Sequence, residues 1–88
     1  MTTDILYEIA KRVDNEYSGK RNVFRATKVR SCWHLSTTTC DWCNYIKVWE
    51  HNNKISSIER LGADVEDWTP IQPTTMARIE QYLNTLNK

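Results

Sequence analysis

Glycine and proline are scarce, at two each in 88 residues: Gly19, Gly62, Pro70 and Pro73. A glycine-rich loop that cradles phosphate needs several glycines close together, so that class of nucleotide site is excluded. Histidine is as rare, with only His34 and His51, and the acidic residues show no spacing that calls for acid–base work. A catalytic centre needs convergent, perturbed groups that this inventory does not supply, and no enzyme is expected. No apolar run approaches the ~18 residues of a membrane span. The opening Thr-Thr-Asp-Ile-Leu-Tyr-Glu has no basic segment ahead of an apolar one, so no secretory signal is expected. Three cysteines cannot all pair with one another, which argues against a closed disulfide framework and favours a reducing cytoplasm.

The other absence is local. Between Tyr17 and Cys40 there is no acidic residue, yet Lys20, Arg21, Arg25, Lys28 and Arg30 all fall there. Glu59, Asp64, Glu66 and Asp67 gather later, so a net charge of +1 conceals an uneven layout. A basic strip beside aromatic rings suits a phosphate backbone with stacked bases, and it suits an acidic protein surface equally. Five cations spread along a strand are also what a solvated face looks like, and that plainer reading is preferred.

What is abundant is aromatic surface: four Trp and four Tyr in so short a chain. They supply much of one modest core, and any left exposed, Trp42 and Trp49 foremost, are candidate contact residues. The chain is organised around Tyr45–Leu61, two runs of β-branched and aromatic residues flanking His51-Asn52-Asn53, the pattern of a β-hairpin. A three-residue loop there pairs Glu50 with Lys54, Trp49 with Ile55 and Ile46 with Ile58, and is preferred. A two-residue Asn52-Asn53 loop is the alternative and reverses the inward face.

Residues 3–18 read as an amphipathic helix with Ile5, Leu6, Ile9, Ala10, Val13 and Tyr17 on one side, Thr3 as its cap and Gly19 as its stop. Val23 to Leu35 reads as one long strand with a bend or bulge inside it. Val65 to Ile71 reads as a connection carrying a partly buried Trp68. A last helix, capped by Thr74 or Thr75, presents Met76, Ile79, Tyr82, Leu83 and Leu86 to the core. The expectation is a single α+β domain over residues 1–88, an αβββα chain: N-terminal helix, three-stranded antiparallel sheet and C-terminal helix in two layers.

One constellation has metal-ligand spacing: Cys32, His34, Cys40 and Cys43, a C-x-H-x5-C-x2-C pattern. Zinc takes four such ligands in a tetrahedron. Cys32 and His34, two apart on a strand, share a face, and Cys43 falls opposite His34 if the next strand pairs closely. Asn44 follows where a glycine commonly lets amides approach zinc-bound sulfur, and free cysteine is a common buried hydrophobe, so plain packing is preferred to a structural zinc. No other cofactor is expected. His34 is followed by Leu35 and Ser36, which lacks the H-x-E element of zinc deaminases.

The C-terminal half, about Cys43 to Leu86, resembles small bacteriophage accessory proteins of unknown function. Asn44, Ile46, Trp68, Thr74, Thr75, Arg78, Ile79 and Leu83 carry the match: an Asn-x-Ile hairpin element, a Trp near a Thr-Thr pair, and a short helix with an Arg. That group tends to have Gly-Asn where this chain has Cys43-Asn44. The resemblance implies phage origin, a bacterial host cytoplasm and a small accessory role without catalysis. By analogy of size and origin, the expected function is an anti-defence inhibitor of the anti-CRISPR kind, which binds and blocks a host protein or complex. The alternative is a nucleic-acid-binding module using Lys20–Arg30, zinc-stabilised or not. Either fits a monomer or a homodimer.

Overall fold

A computed structural model describes residues 1–37, 46–52, 54–61 and 68–86. Helix α1 spans Thr3–Val13 and a single 3₁₀ turn follows at Asn15–Tyr17. Strands β1 (Phe24–Val29), β2 (Cys32–Thr37), β3 (Ile46–His51), β4 (Lys54–Leu61) and β5 (Trp68–Pro70) precede helix α2 (Pro73–Leu86). The strands form one antiparallel meander in the order β1-β2-β3-β4-β5. The α+β class holds, but the αβββα chain with a three-stranded sheet does not: among the described residues the sheet has five strands.

One extra strand comes from dividing Val23–Leu35. Arg30 takes a φ of +59°, and Arg30-Ser31 form a two-residue turn that sets Val29 against Cys32. Primed hairpin turns need this left-handed conformation, which Gly or Asn normally supplies. An arginine there gives no local signal, so the run reads as one strand. The turn also changes the faces: Trp33 and Leu35 stand with Ala26 and Phe24, not with Val29. The other extra strand is Trp68–Pro70, whose edge position tolerates a proline because no partner needs its missing N–H.

The central hairpin has the two-residue turn. His51 pairs with Lys54 and Glu50 with Ile55; after a shift, Trp49 pairs with Ser57, Val48 with Ile58 and Ile46 with Arg60. The preferred Glu50–Lys54, Trp49–Ile55 and Ile46–Ile58 register is therefore corrected. Ile55 and Ile58 are three apart, and strict alternation would send them to opposite faces. The bulge inserts one residue, Ser56, and brings both isoleucines inward. The Ser56 hydroxyl donates to the Trp49 carbonyl at 3.2 Å. Asn52, with a φ of +53°, supplies the left-handed turn position.

Helix α1 is shorter than the 3–18 expected, because Asp14 is extended and its carboxylate accepts from the Glu16 amide at 3.0 Å. The N-cap is Thr2, one residue before Thr3; its hydroxyl accepts from the Ile5 amide. Pro73 opens α2, where a missing N–H costs nothing, so Thr74 and Thr75 lie inside its first turn. Both helices contribute to one core on one face of the sheet: Leu6, Ile9 and Ala10 of α1 and Ile79 of α2 meet Phe24, Leu35, Ile46, Val48 and Ile58. Phe24 lies edge-on between Tyr7 and Tyr17, at 5.3 and 6.0 Å between ring centroids. The Tyr17 hydroxyl donates to the Leu35 carbonyl at 3.4 Å. Arg12 ties the helices together on the outside: its guanidinium stacks 4.2 Å from the Tyr82 ring while donating to Glu8.

Candidate interaction surface

The strand register sorts the sheet residues into two sets. The inner set faces the helices. The outer set holds Arg25, Thr27 and Val29 of β1, Cys32, His34 and Ser36 of β2, and Lys47 and Trp49 of β3. Ser57, Glu59 and Leu61 of β4 and Pro70 and Trp68 of β5 belong to it as well. Two indoles, two fixed cations and a carboxylate thus share the face turned away from the helices.

These side chains are organised. Trp49 donates its indole N–H to Glu59 Oε1 at 2.7 Å. Lys47, opposite Glu59 across the ladder, reaches instead over the Trp68 ring, with Nζ 4.1 Å from the centroid. A cation that close to an indole face is attracted to it, and the ring in turn is held against the sheet. Trp49, Trp68, Lys47 and Glu59 are all half-buried, so each retains surface for a partner, while Arg25 is exposed. Burial and the nearby Lys47 ammonium hold His34 below the usual imidazole range. Burial pushes the Cys32 thiol up, which keeps it protonated and unreactive.

The five cations expected to form one strip are dispersed. Arg21 is engaged by Asp4, with Nη2 2.6 Å from Oδ1, and Lys20 sits half-buried before β1. Lys28 lies on the inner set, with its ammonium 5.5 Å from the Trp33 ring centroid. Arg30 is at the β1–β2 turn. Only Arg25 joins Trp49 on the outer face. Glu59 lies there as well, so the face is not of one sign; Asp64, Glu66 and Asp67 lie outside the described residues. Lys47 and Trp68 complete the cluster but were not among the expected site residues. Their signal is the i, i+2 spacing of Lys47 and Trp49 on one strand face; Trp68 had none, because it sits in a stretch that reads as a connection.

For the metal constellation, Cys32 and His34 do share the outer face. The residue opposite His34 is Lys47, not Cys43, and an ammonium beside the imidazole repels a divalent cation. Cys40, Cys43 and Trp42 lie outside the described residues, as does Asn44 of the phage-like pattern. Among the described residues no group of three metal-binding side chains comes together. Of the other residues carrying that pattern, Ile46 and Ile79 are core and Leu83 packs against it, which makes them structural. No helix among the described residues is long and apolar enough to cross a membrane.

Comparison with protein-family models, with curated proteins and with solved structures finds no match for this chain.

Proposed function

We propose that this protein is a small phage-type accessory protein, not an enzyme, which binds a host protein through the outer face of its sheet and blocks it, in the manner of an anti-defence inhibitor. The observation that carries the reading is the Trp49–Glu59–Lys47–Trp68 cluster: two half-buried indoles, each held by a charged neighbour, on the sheet face opposite the helices. Trp and Arg are the side chains that most often anchor protein interfaces, and rings already held in place lose little freedom on binding. Exposed Arg25 and the Lys47 ammonium select an acidic patch on the partner, since Glu59 already accepts from Trp49.

The nucleic-acid alternative draws on one observation: Arg25, Lys28 and Arg30 lie on or just beyond edge strand β1. Strand alternation sends Arg25 and Lys28 to opposite faces, which is why the protein partner is preferred.

A tagged pull-down from bacterial lysate, with and without nuclease, tests the two readings. One or two proteins should remain after nuclease and be lost with Arg25→Glu or Lys47→Glu, while thermal melting shows both variants folded. Retention that disappears with nuclease, and with Arg25, Lys28 and Arg30 replaced, would move the assignment to nucleic acid. An empty pull-down in both arms would sink both.

A further inference from the structure

The meander of described strands ends in two edges, β1 and β5, and they differ. Strand β5 has three residues and ends on Pro70; a short edge with a proline deters further pairing. Strand β1 has six residues and no proline, and all of them are exposed except Phe24 and Ala26.

The Arg30-Ser31 turn fixes which backbone groups of β1 face outward. In a two-residue hairpin the pair flanking the turn, here Val29 and Cys32, exchanges both hydrogen bonds, and bonded pairs then alternate along the ladder. Arg25, Thr27 and Val29 therefore direct their N–H and C=O groups to β2. Those of Phe24, Ala26 and Lys28 point away from the sheet. The Glu50 amide, which donates to the Ser31 carbonyl at 2.8 Å, continues the same alternation into β3. Among the described residues, no main-chain group outside the β1–β2 ladder bonds to Phe24, Ala26 or Lys28.

Side-chain charge decides what can join this edge. Arg25 stands on the outer face and Lys28 on the inner one, with Arg30 just past the strand end. All three are exposed, and none is in an ion pair among the described residues, whereas Arg21 is held by Asp4. A second copy of the chain is turned away, because pairing β1 with its own image gathers cations with no anion between them. An added strand carries side chains on both faces. Two acidic residues three apart on it would meet Arg25 on one face of the sheet and Lys28 on the other.

We infer that the edge of β1 is a strand-addition site whose occupant is an extended acidic segment of a partner protein, with carboxylates three residues apart. Main-chain bonds to Phe24, Ala26 and Lys28 hold the segment, and the two cations select it. The inference deepens the proposed function and rests on it for the partner's being a host protein. It makes one recognition element of Arg25 and Lys28 although they lie on opposite faces.

The capped peptide Val-Glu-Val-Val-Glu-Val tests it, with Val-Lys-Val-Val-Lys-Val as the charge-reversed counterpart. Each is titrated to ~1 mM into isotopically labelled protein and followed by NMR. The charge pattern reads the same from either end, so strand direction does not matter. The glutamate peptide should slow amide exchange several-fold at Phe24, Ala26 and Lys28 and leave Arg25, Thr27 and Val29 unchanged. The lysine peptide should not bind. The variant R25E/K28E should invert the preference, losing about tenfold toward the glutamate peptide. Ala26→Pro keeps both cations and removes an N–H that β2 does not use. It should fold, by its melting curve, and bind the glutamate peptide about tenfold more weakly. If it does not fold, the wild-type exchange pattern and the R25E/K28E inversion decide.

No binding by the wild type would overturn the inference. So would shifts confined to Lys47, Trp49 and Trp68, which would put the peptide on the outer face instead. A folded A26P protein that binds as well as the wild type would do the same, by reducing the contact to charge alone, which nucleic acid would share. An edge that binds peptide in a protein that captures nothing from lysate would sink the proposed function and leave the edge standing, so the two failures are distinguishable.

Discussion

Leu35, Ile46, Val48 and Ile58 stand side by side on the inner face of the sheet, and none is more than 2% exposed. One residue along the same strands, His34, Lys47, Trp49 and Glu59 face the other way and are half-buried. The backbone and its hydrogen bonds serve both sets alike. The difference lies in what covers them: two helices close the inner face to water, so its side chains contribute to stability by transfer and packing. Outer-face side chains hold one another in place by an N–H to carboxylate bond and a cation over a ring. Alternation alone lets one sheet carry a core on one side and a partly wet, aromatic, charged surface on the other.

The sharpest test of that contrast is a pair of substitutions. Leu35→Ala removes a fully buried side chain at the centre of the core and should cost about 3 kcal/mol in urea unfolding. Val29→Thr, on the outer face at 53% exposure, should move stability by less than ~0.5 kcal/mol. Equal effects would mean that the outer face is packed as a second core.

The turn that assigns residues to faces is the next place to press. Arg30 holds a left-handed backbone that costs a residue with a Cβ ~1–2 kcal/mol. Arg30→Gly relieves this, but it also gives the unfolded chain more freedom. The net gain should be about 0.5 kcal/mol in the same unfolding measurement, with the sheet register unchanged in amide exchange. A loss would mean that the arginine side chain holds the turn.

The smallest effect concerns protonation on the outer face. The folded-state value of His34 is depressed, first by burial and then by Lys47. Its contribution to stability is therefore complete above the unfolded value of ~6.5 and is lost as pH falls through the lower folded value. His34→Gln should flatten the stability profile below about pH 6.5. Lys47→Gln should raise the His34 titration seen by NMR. If Lys47→Gln leaves that titration where it was, the ammonium is not acting on the imidazole.

Much of the architecture was legible from periodicity. Leu6, Ile9 and Ala10 recur at helical spacing and are buried, and so does Ile79 in the last helix. The Glu8 pairs with Lys11 and Arg12 follow from the same spacing. Where reading failed, the local signal was absent or misleading. An arginine occupies a turn position that normally announces itself by glycine. Ser56 adds a residue to β4 that only the need to bury both Ile55 and Ile58 explains. A proline ends an edge strand whose three residues are too few to show alternation. The candidate surface was half legible: Trp49 and Arg25 were singled out, while Lys47 and Trp68 were found only once β3, β4 and β5 stood in register.

The amino-acid sequence by itself determined the helical stripes, the central hairpin and the α+β class. Each of these depends on residue type and spacing within one segment, where a short-range period is enough. Strand number, hairpin register and the scattering of the basic residues were decided only by the tertiary structure. In a sheet, a single turn or bulge reverses every side chain beyond it. Which reversal occurs depends on what the helices must cover, and that information is distributed along the whole chain.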